Sequence, residues 1–160
     1  MHANDRRYVD GTYESHFPRW GSDSADWKAG RIDEFSGSVL RKCRSICDVG
    51  CGPGGILREL ARRHPFMKCR GYDISPEAIR RARESNDGIE YHVGSVQDLR
   101  GRFDVVLCID VIEHVENPFG FLRGLRNHAK IFLFVIPLDM HSLAIARGFP
   151  ISRAREKSGH

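Results

Sequence analysis

Residues 45–65, SICDVGCGPGGILRELARRHP, change their hydrophobic pattern on either side of a glycine loop. Ser45–Val49 is a short apolar run of the kind found in buried strands. In Gly55–His64 the apolar residues recur at helical spacing, and Pro65 ends the run because proline cannot continue a helix. The stretch therefore predicts a strand, a tight loop and a helix.

The same alternation continues to residue 136. Further strands are predicted at Lys68–Ile74, Ile89–Gly94, Phe103–Ile109 and Ile131–Ile136. Helices are predicted at residues 27–42, with Trp27, Ile32, Phe35, Val39 and Leu40 on the apolar face, and at 75–86 and 117–128. Strands that alternate with helices pair in parallel through right-handed crossovers. We therefore predict an α/β fold with a doubly wound, mostly parallel, Rossmann-like sheet of about five strands.

Length and composition indicate one domain. The chain has 160 residues, 41% hydrophobic and 29% charged, which is ordinary for a globular protein. We assign residues 1–26 to an irregular N-terminal arm and residues 27–160 to the domain. The N-terminus, MHANDRRYVDG, lacks the apolar core of a signal peptide, and no run approaches the roughly 18 residues of a membrane span. These features predict a cytoplasmic protein without a membrane span.

Charge and cysteine content exclude some function classes. The net charge is 25 − 21 = +4, and the arginines are dispersed over predicted helices rather than gathered among aromatic residues. We therefore expect no nucleic-acid partner. The five cysteines do not form the C-x-x-C pairs of zinc sites. We expect free thiols and no metal, with Cys47 and Cys108 as small core residues.

The glycine loop poses a choice of cofactor. Gly50, Gly52 and Gly55 satisfy G-x-G-x-x-G, which is typical of a dinucleotide site. Asp48, just before the loop, would repel a pyrophosphate but attract a cationic amino-acid group, unless it is only a loop-bracing or capping acid. Asp73, after the second strand, could accept both hydroxyls of a ribose. S-adenosylmethionine fits this set, and its carboxylate could be bound by the loop amides near the helix start.

Four motifs in order carry a family resemblance: DVGCGPGG (48–55), GYDISPEAI (71–79), VGSVQDL (93–99) and FDVVLCIDVIEHVENP (103–118). Together they resemble class I S-adenosylmethionine-dependent methyltransferases, most closely the branch that acts on small-molecule and lipid-like acceptors. The resemblance covers roughly residues 27–140.

This resemblance implies a cofactor site along the carboxyl ends of the strands. It places Asp48 and the loop residues Gly50, Cys51 and Gly52 at the methionine end, Asp73 and Ile74 at the ribose and adenine, Ser95 and Val96 at the adenine edge, and Asp110 and Val111 along the cofactor, open toward the acceptor. S-adenosylhomocysteine would be the product.

Two departures from the family pattern stand out. Position 95 usually carries Asp, whereas Ser95 is neutral and would accept a hydrogen bond more weakly. The family's sheet has seven strands, yet only 24 residues follow Ile136. We expect a C-terminally incomplete domain or a minimal version of the fold, with an exposed fifth strand through which the chain could form a homo-oligomer.

Methyl transfer from a sulfonium requires positioning and, for some acceptors, a base. His114 is the candidate base, since histidine titrates near neutrality, although it could equally be a structural residue. Less favoured candidates are Glu113, Asp139 and His141, the last two beside Pro137 at the expected acceptor pocket. Trp27 and Lys28 could belong to a lid, or be a core anchor and a solvated lysine.

Three functions follow from these observations. The leading one is methyl transfer from S-adenosylmethionine to a small-molecule acceptor. The alternative is a module that binds S-adenosylmethionine or S-adenosylhomocysteine without transfer activity of its own. A nicotinamide-dependent oxidoreductase is favoured by the literal glycine pattern alone.

Overall fold

The computed structural model describes residues 24–85 and 88–137. Its regular elements are α1 (Ala25–Leu40), β1 (Ser45–Val49), α2 (Gly55–Arg63), β2 (Lys68–Asp73), α3 (Pro76–Glu84), β3 (Glu90–Val93), β4 (Phe103–Ile109), α4 (Pro118–Leu125) and β5 (Ala129–Val135). Short 3-10 turns at Val96–Asp98 and Ile112–His114 follow β3 and β4.

The five strands form one parallel sheet in the order β3-β2-β1-β4-β5. The predicted doubly wound sheet is thereby confirmed. The chain leaves β1 toward β2 and β3, then returns to β4 on the other side of β1. Ligands of such sheets bind beyond the carboxyl ends of the strands where the strand order reverses, which here lies between β1 and β4.

Helices cover both faces of the sheet, and each face has its own core. Helices α1, α2 and α3 enclose the first, whose members include Ile32, Leu57, Leu60, Ile79, Val105 and Leu107. Helix α4 covers the second, which includes Cys47, Tyr72, Val106, Cys108, Phe121 and Leu125. Cys47 and Cys108 are therefore core residues, as predicted.

Two of the helices begin with a side-chain cap. The Ser75 hydroxyl accepts a hydrogen bond from the Ala78 amide at 3.1 Å, and the side-chain Oδ1 of Asn117 accepts one from the Gly120 amide at 2.8 Å. A proline follows each cap, where its missing N–H costs nothing. Both starts agree with the sequence prediction.

The predicted apolar face of the first helix is only partly right: Ile32 and Leu40 are buried, whereas its two aromatic residues are not. Trp27 is 66% exposed and Phe35 is 76% exposed. The buried face of α1 is instead made of mostly small residues, namely Ala25, Ala29, Ile32, Ser36, Gly37 and Leu40. Small side chains allow α1 to lie close to α2, and hydrophobicity alone does not reveal such a face.

Element boundaries differ from prediction by one to three residues. β2 ends at Asp73 rather than Ile74, and β5 begins at Ala129 rather than Ile131. The predicted arm at residues 1–26 lies outside the described residues up to position 23, and α1 already begins at Ala25. Among the helices that the structure describes, none is long and apolar enough to cross a membrane.

Candidate functional site

The glycine loop is fixed by hydrogen bonds to the end of β2. The amides of Gly50 and Cys51 both donate to the Tyr72 carbonyl oxygen, at 2.7 and 3.0 Å. Gly50 has φ of +82° and Gly52 has φ of +52°, backbone conformations that side chains disfavour. The loop thus turns sharply away from β1 and crosses the end of β2 before α2 begins.

Close contacts explain why parts of this loop must be glycine. A Cβ atom on Gly50 would lie 2.2 Å from Val111 Cγ2, and one on Gly54 would lie 2.4 Å from the Tyr91 hydroxyl. Tyr91, on β3, is 3% exposed and packs against the loop at Gly54. Sequence reasoning did not single out this tyrosine, since an aromatic residue in a strand is an ordinary core feature.

Asp73 holds the loop and the start of α3 in place. Its carboxylate accepts hydrogen bonds from the Gly52 amide at 2.8 Å and the Ser75 amide at 2.9 Å, one on each oxygen. Burial raises the pKa of this carboxyl, while these amides act in the opposite direction. Each oxygen retains further acceptor capacity, so Asp73 could also accept the hydroxyls of a sugar.

Asp48 is a buried carboxylate in the middle of the sheet. It is 2% exposed, and its Oδ1 has no hydrogen-bond partner among the residues that the structure describes. Burial and, to a lesser extent, the charges of Asp73 and Asp110 raise its pKa to about 7. A cation placed beside Asp48 would compensate for this cost.

Asp110 follows β4 and forms an ion pair with Lys28 from the first turn of α1. Asp110 has φ of +54° and is, among the described residues, the only non-glycine residue with positive φ. The Asp110 amide donates to the Val135 carbonyl oxygen at 2.9 Å. Lys28 therefore lies at the carboxyl edge of the sheet rather than in open solvent, and its part in a lid remains a prediction.

The residues predicted at the adenine end, Ser95, Val96 and Ile74, differ in their surroundings. The Ser95 hydroxyl lies 2.6 Å from Gln97 Oε1 and 2.9 Å from Asp98 Oδ2, so it stabilises its own turn. The side chain of Val96 is buried in the core under α4. Ile74 is half-buried directly after Asp73. Their contact with an adenine remains a prediction.

The predicted acceptor side is only partly described. His114 ends the 3-10 turn after β4, and its amide donates to the Val111 carbonyl oxygen at 3.0 Å. His114, Glu113 and Pro137 are all half-buried. Asp139 and His141 lie outside the described residues. The turn therefore places His114 close to Val111, one of the predicted cofactor residues, and its role as a base remains a prediction.

Three predicted acids, Asp48, Asp73 and Asp110, thus lie at or near the carboxyl ends of the adjacent strands β1, β2 and β4, and the charges of the other two act on Asp48. Asp73 is bound by amides, Asp110 by an ammonium, and Asp48 has an oxygen without a partner. Among the described residues, no three or more His, Cys, Asp or Glu side chains are arranged so that they could hold a metal ion. The arrangement suits a ligand that carries both a cation and neighbouring hydroxyls.

Comparison with curated proteins places the chain among methyltransferases. It is 36% identical to the ubiquinone biosynthesis O-methyltransferase of Xanthomonas campestris pv. campestris (strain B100), over 72% of this chain and 53% of the relative. It is 33% identical to the corresponding Xanthomonas oryzae pv. oryzae (strain PXO99A) protein, with the same shares covered. The chain thus spans about half the length of the curated relatives it matches.

Solved structures show the same fold. The plantazolicin methyltransferase BpumL in complex with SAH superposes with a TM-score of 0.74 at 18% identity, covering 98% of this chain and 66% of BpumL. Magnesium protoporphyrin IX methyltransferase from Synechocystis PCC 6803 with bound SAM gives a TM-score of 0.56 at 22% identity, covering 68% and 54%. Residues 23–157 match the family described as "Methyltransferase domain", so this chain belongs to that methyltransferase family, as its four motifs predicted.

Proposed function

We propose that this chain transfers the methyl group of S-adenosylmethionine to an oxygen atom of a small-molecule acceptor. The observation that carries the proposal is Asp48, a buried carboxylate with an unpartnered oxygen beside the glycine loop. A ligand with a cationic end satisfies that oxygen, whereas a pyrophosphate would be repelled by it. The names of the curated relatives, which are O-methyltransferases, support oxygen as the acceptor atom.

The other residues of the crevice fit the remaining groups of S-adenosylmethionine. Asp73 has acceptor capacity for the ribose hydroxyls. The amides of Gly50, Cys51 and Gly52 already donate to Tyr72 and Asp73. A ligand carboxylate must therefore use the free amides of the first turn of α2 or the ammonium of Lys28. This differs from the simpler expectation that the loop amides bind it.

S-adenosylmethionine supplies an activated methyl group, so the chain mainly has to orient the reactants and exclude water. Val111 and the lid residues Trp27 and Lys28 would border the reacting groups from β4 and α1. Where the acceptor hydroxyl must lose its proton, we assign that role to His114, because its turn follows directly on Asp110 and Val111.

We further propose a cytoplasmic protein whose acceptor is not a nucleic acid. A homo-oligomer through the edge of β5 is also proposed, since in the described part β5 pairs with β4 alone and Ile136, just beyond it, is 49% exposed. Gel filtration with light scattering tests this: a monomer at all concentrations contradicts it.

The cofactor assignment is tested by calorimetric titration of S-adenosylhomocysteine into the full chain. Asp73→Asn should weaken binding at least about tenfold, the cost of one charged hydrogen-bond acceptor. Asp104→Asn is the matched control, because Asp104 likewise accepts two backbone amides, from Arg44 and Ser45, but at the opposite end of β1. Equal losses in both variants would mean that Asp73 matters only for folding.

Transfer is tested separately with S-adenosylmethionine carrying a tritiated methyl group, incubated with the chain and small-molecule extracts. Label in a low-molecular-weight product supports the methyltransferase. Saturable binding of S-adenosylhomocysteine with no labelled product from any extract supports the binding module instead.

A further inference from the structure

The edge of the sheet opposite the cofactor site carries a concentration of basic side chains. Eight exposed residues lie at the amino ends of strands or just after the helices that lead into them. These residues, called the basic edge below, are Arg41, Lys42, Arg44, Lys68, Arg100, Arg102, Arg126 and Lys130.

Hydrogen bonds and strand register show that the basic edge is continuous. The Lys68 amide donates to the Arg44 carbonyl oxygen at 2.8 Å, which joins the starts of β2 and β1. The Phe103 amide donates to the His128 carbonyl oxygen at 2.7 Å, which joins the starts of β4 and β5. With strands about 4.8 Å apart, the cations of four adjacent strands span about 15 Å.

The charges of the basic edge are only partly offset by acids of the described residues. Arg44 is attracted to the nearby Asp104 carboxylate and Arg100 to that of Asp98. None of the eight forms an ion pair with an acid of the described residues, whereas Arg62 and Arg80 on the helices pair with Glu59 and Glu77. The nearby Asp104 has one carboxylate oxygen, Oδ2, that accepts the Arg44 and Ser45 amides.

Helix dipoles account for only part of this distribution, since Arg41 and Arg126 directly follow the C-terminal ends of α1 and α4. Cations near helix C-termini are favoured electrostatically, which explains residues such as Arg62 at the end of α2. Lys68, Arg102 and Lys130 lie instead at or next to the starts of β2, β4 and β5, and none of them is in the last turn of a helix.

An exposed aromatic residue stands at the same edge. Phe66 lies in the connection from α2 to β2, two residues before Lys68, and is 94% exposed. Its neighbour Met67 is buried and anchors the connection to the core. An exposed apolar ring two residues from a lysine of the basic edge suits the boundary between lipid headgroups and acyl chains.

We propose that the basic edge docks this protein on the surface of a membrane rich in anionic phospholipids, with Phe66 inserted among the headgroups. Single-stranded nucleic acid is less favoured, because its binding surfaces interleave cations with several stacking aromatic residues. Among the described residues of this edge, Phe66 is the fully exposed aromatic, while Phe103 is half-buried under Arg70.

In this orientation the cofactor site faces away from the bilayer. The strands of five to seven residues separate the two edges by about 20 Å. The acceptor would therefore enter from the aqueous side, and the membrane would localise the protein rather than supply its substrate.

The test is sedimentation of the full chain with vesicles of phosphatidylcholine, with and without phosphatidylserine. Binding should require phosphatidylserine. The double variant Lys68→Gln/Lys130→Gln should lower the partition coefficient about 25-fold, since each Lys or Arg at an anionic surface contributes about fivefold. The control Arg31→Gln/Arg80→Gln removes the same charge from exposed helix positions and should change it less than about twofold. Phe66→Ala should weaken binding about tenfold.

Several results would overturn the proposal. Equal losses in the two double variants would show that net charge matters and not the basic edge. Sedimentation with pure phosphatidylcholine, or none with either vesicle, would exclude anionic lipid as the partner. Retention of a single-stranded RNA oligonucleotide that Lys68→Gln/Lys130→Gln abolishes, without vesicle binding, would assign the basic edge to nucleic acid.

Discussion

Gly50, directly after β1, and Val111, directly after β4, are in such close contact that a Cβ atom on Gly50 would lie 2.2 Å from Val111 Cγ2. This contact spans the point at which the strand order of the sheet reverses. It fixes the glycine loop relative to the residues that follow β4. The glycine loop and the residues after β4 can therefore approach this closely only because position 50 lacks a side chain.

Gly50→Ala is expected to destabilise the fold by about 2–5 kcal/mol, combining a left-handed backbone penalty with a steric clash in a packed site. Chemical denaturation measures this value. Gly101→Ala is the control, since Gly101 has φ of +89° but nothing within 4 Å of its added Cβ. It should lose only the backbone part, about 1–2 kcal/mol. Similar losses in the two variants would show that the contact with Val111 is unimportant.

Asp48→Asn should change how stability depends on pH. The carboxyl of Asp48 has a pKa of about 7 in the fold, above its ordinary value of 3.8. Between these values the unfolded chain loses the proton while the folded chain keeps it, so the free energy of unfolding falls as pH rises from about 4 to 7.

The asparagine variant lacks this titration. Without cofactor, its free energy of unfolding should equal that of the wild type near pH 4 and exceed it by a few kcal/mol above pH 7. Urea denaturation at the two pH values gives the comparison. S-adenosylmethionine should reverse the order at high pH, because the charged Asp48 gains a cationic partner. A constant difference between the two proteins at all pH values would show that Asp48 is not the titrating group.

The sheet could be predicted from the sequence because its central strands are buried on both faces. In β4 the five residues 105–109 are all apolar and buried, and the helices that follow Ser75 and Asn117 carry side-chain caps. These are local signals that persist in the fold. The acids Asp48, Asp73 and Asp110 were also identifiable, since each comes at or near the carboxyl end of a strand.

The features that could not be predicted from the sequence depend on contacts between residues that are distant along the chain. The small-residue face of α1 has no hydrophobic period, and Tyr91 gains its role only through Gly54 and Gly71, which pack against it. The basic edge was hidden because its residues are scattered in sequence. They meet only because parallel strands all begin at one edge.

Lys28→Ala should weaken the binding of S-adenosylhomocysteine about tenfold while it changes stability by less than about 1 kcal/mol. The small stability effect follows from the partial exposure of its pair with Asp110. The binding effect is expected if the Lys28 ammonium, rather than the first-turn amides of α2, binds the ligand carboxylate, since charged hydrogen bonds are worth about 1.5–3 kcal/mol. Calorimetry and thermal unfolding measure the two quantities.

Arg31→Gln is the control for Lys28, since Arg31 lies one turn further along α1 and pairs with the exposed Glu34. It should leave both affinity and stability unchanged. If Lys28→Ala binds S-adenosylhomocysteine as tightly as the wild type, Lys28 has no part in the cofactor site.

His114→Gln tests the proposed general base. If His114 removes the proton of the acceptor hydroxyl, kcat should fall by about 10²–10⁴-fold, the usual contribution of such a base. The affinity for S-adenosylhomocysteine should stay the same, because the histidine acts on the acceptor. His128→Gln is the control, as His128 lies at the far edge of the sheet, where its ring Nδ1 is 2.9 Å from the Gly101 carbonyl oxygen. Full activity in His114→Gln would assign the histidine a structural role, and a parallel loss of cofactor affinity would indicate that it shapes the crevice instead.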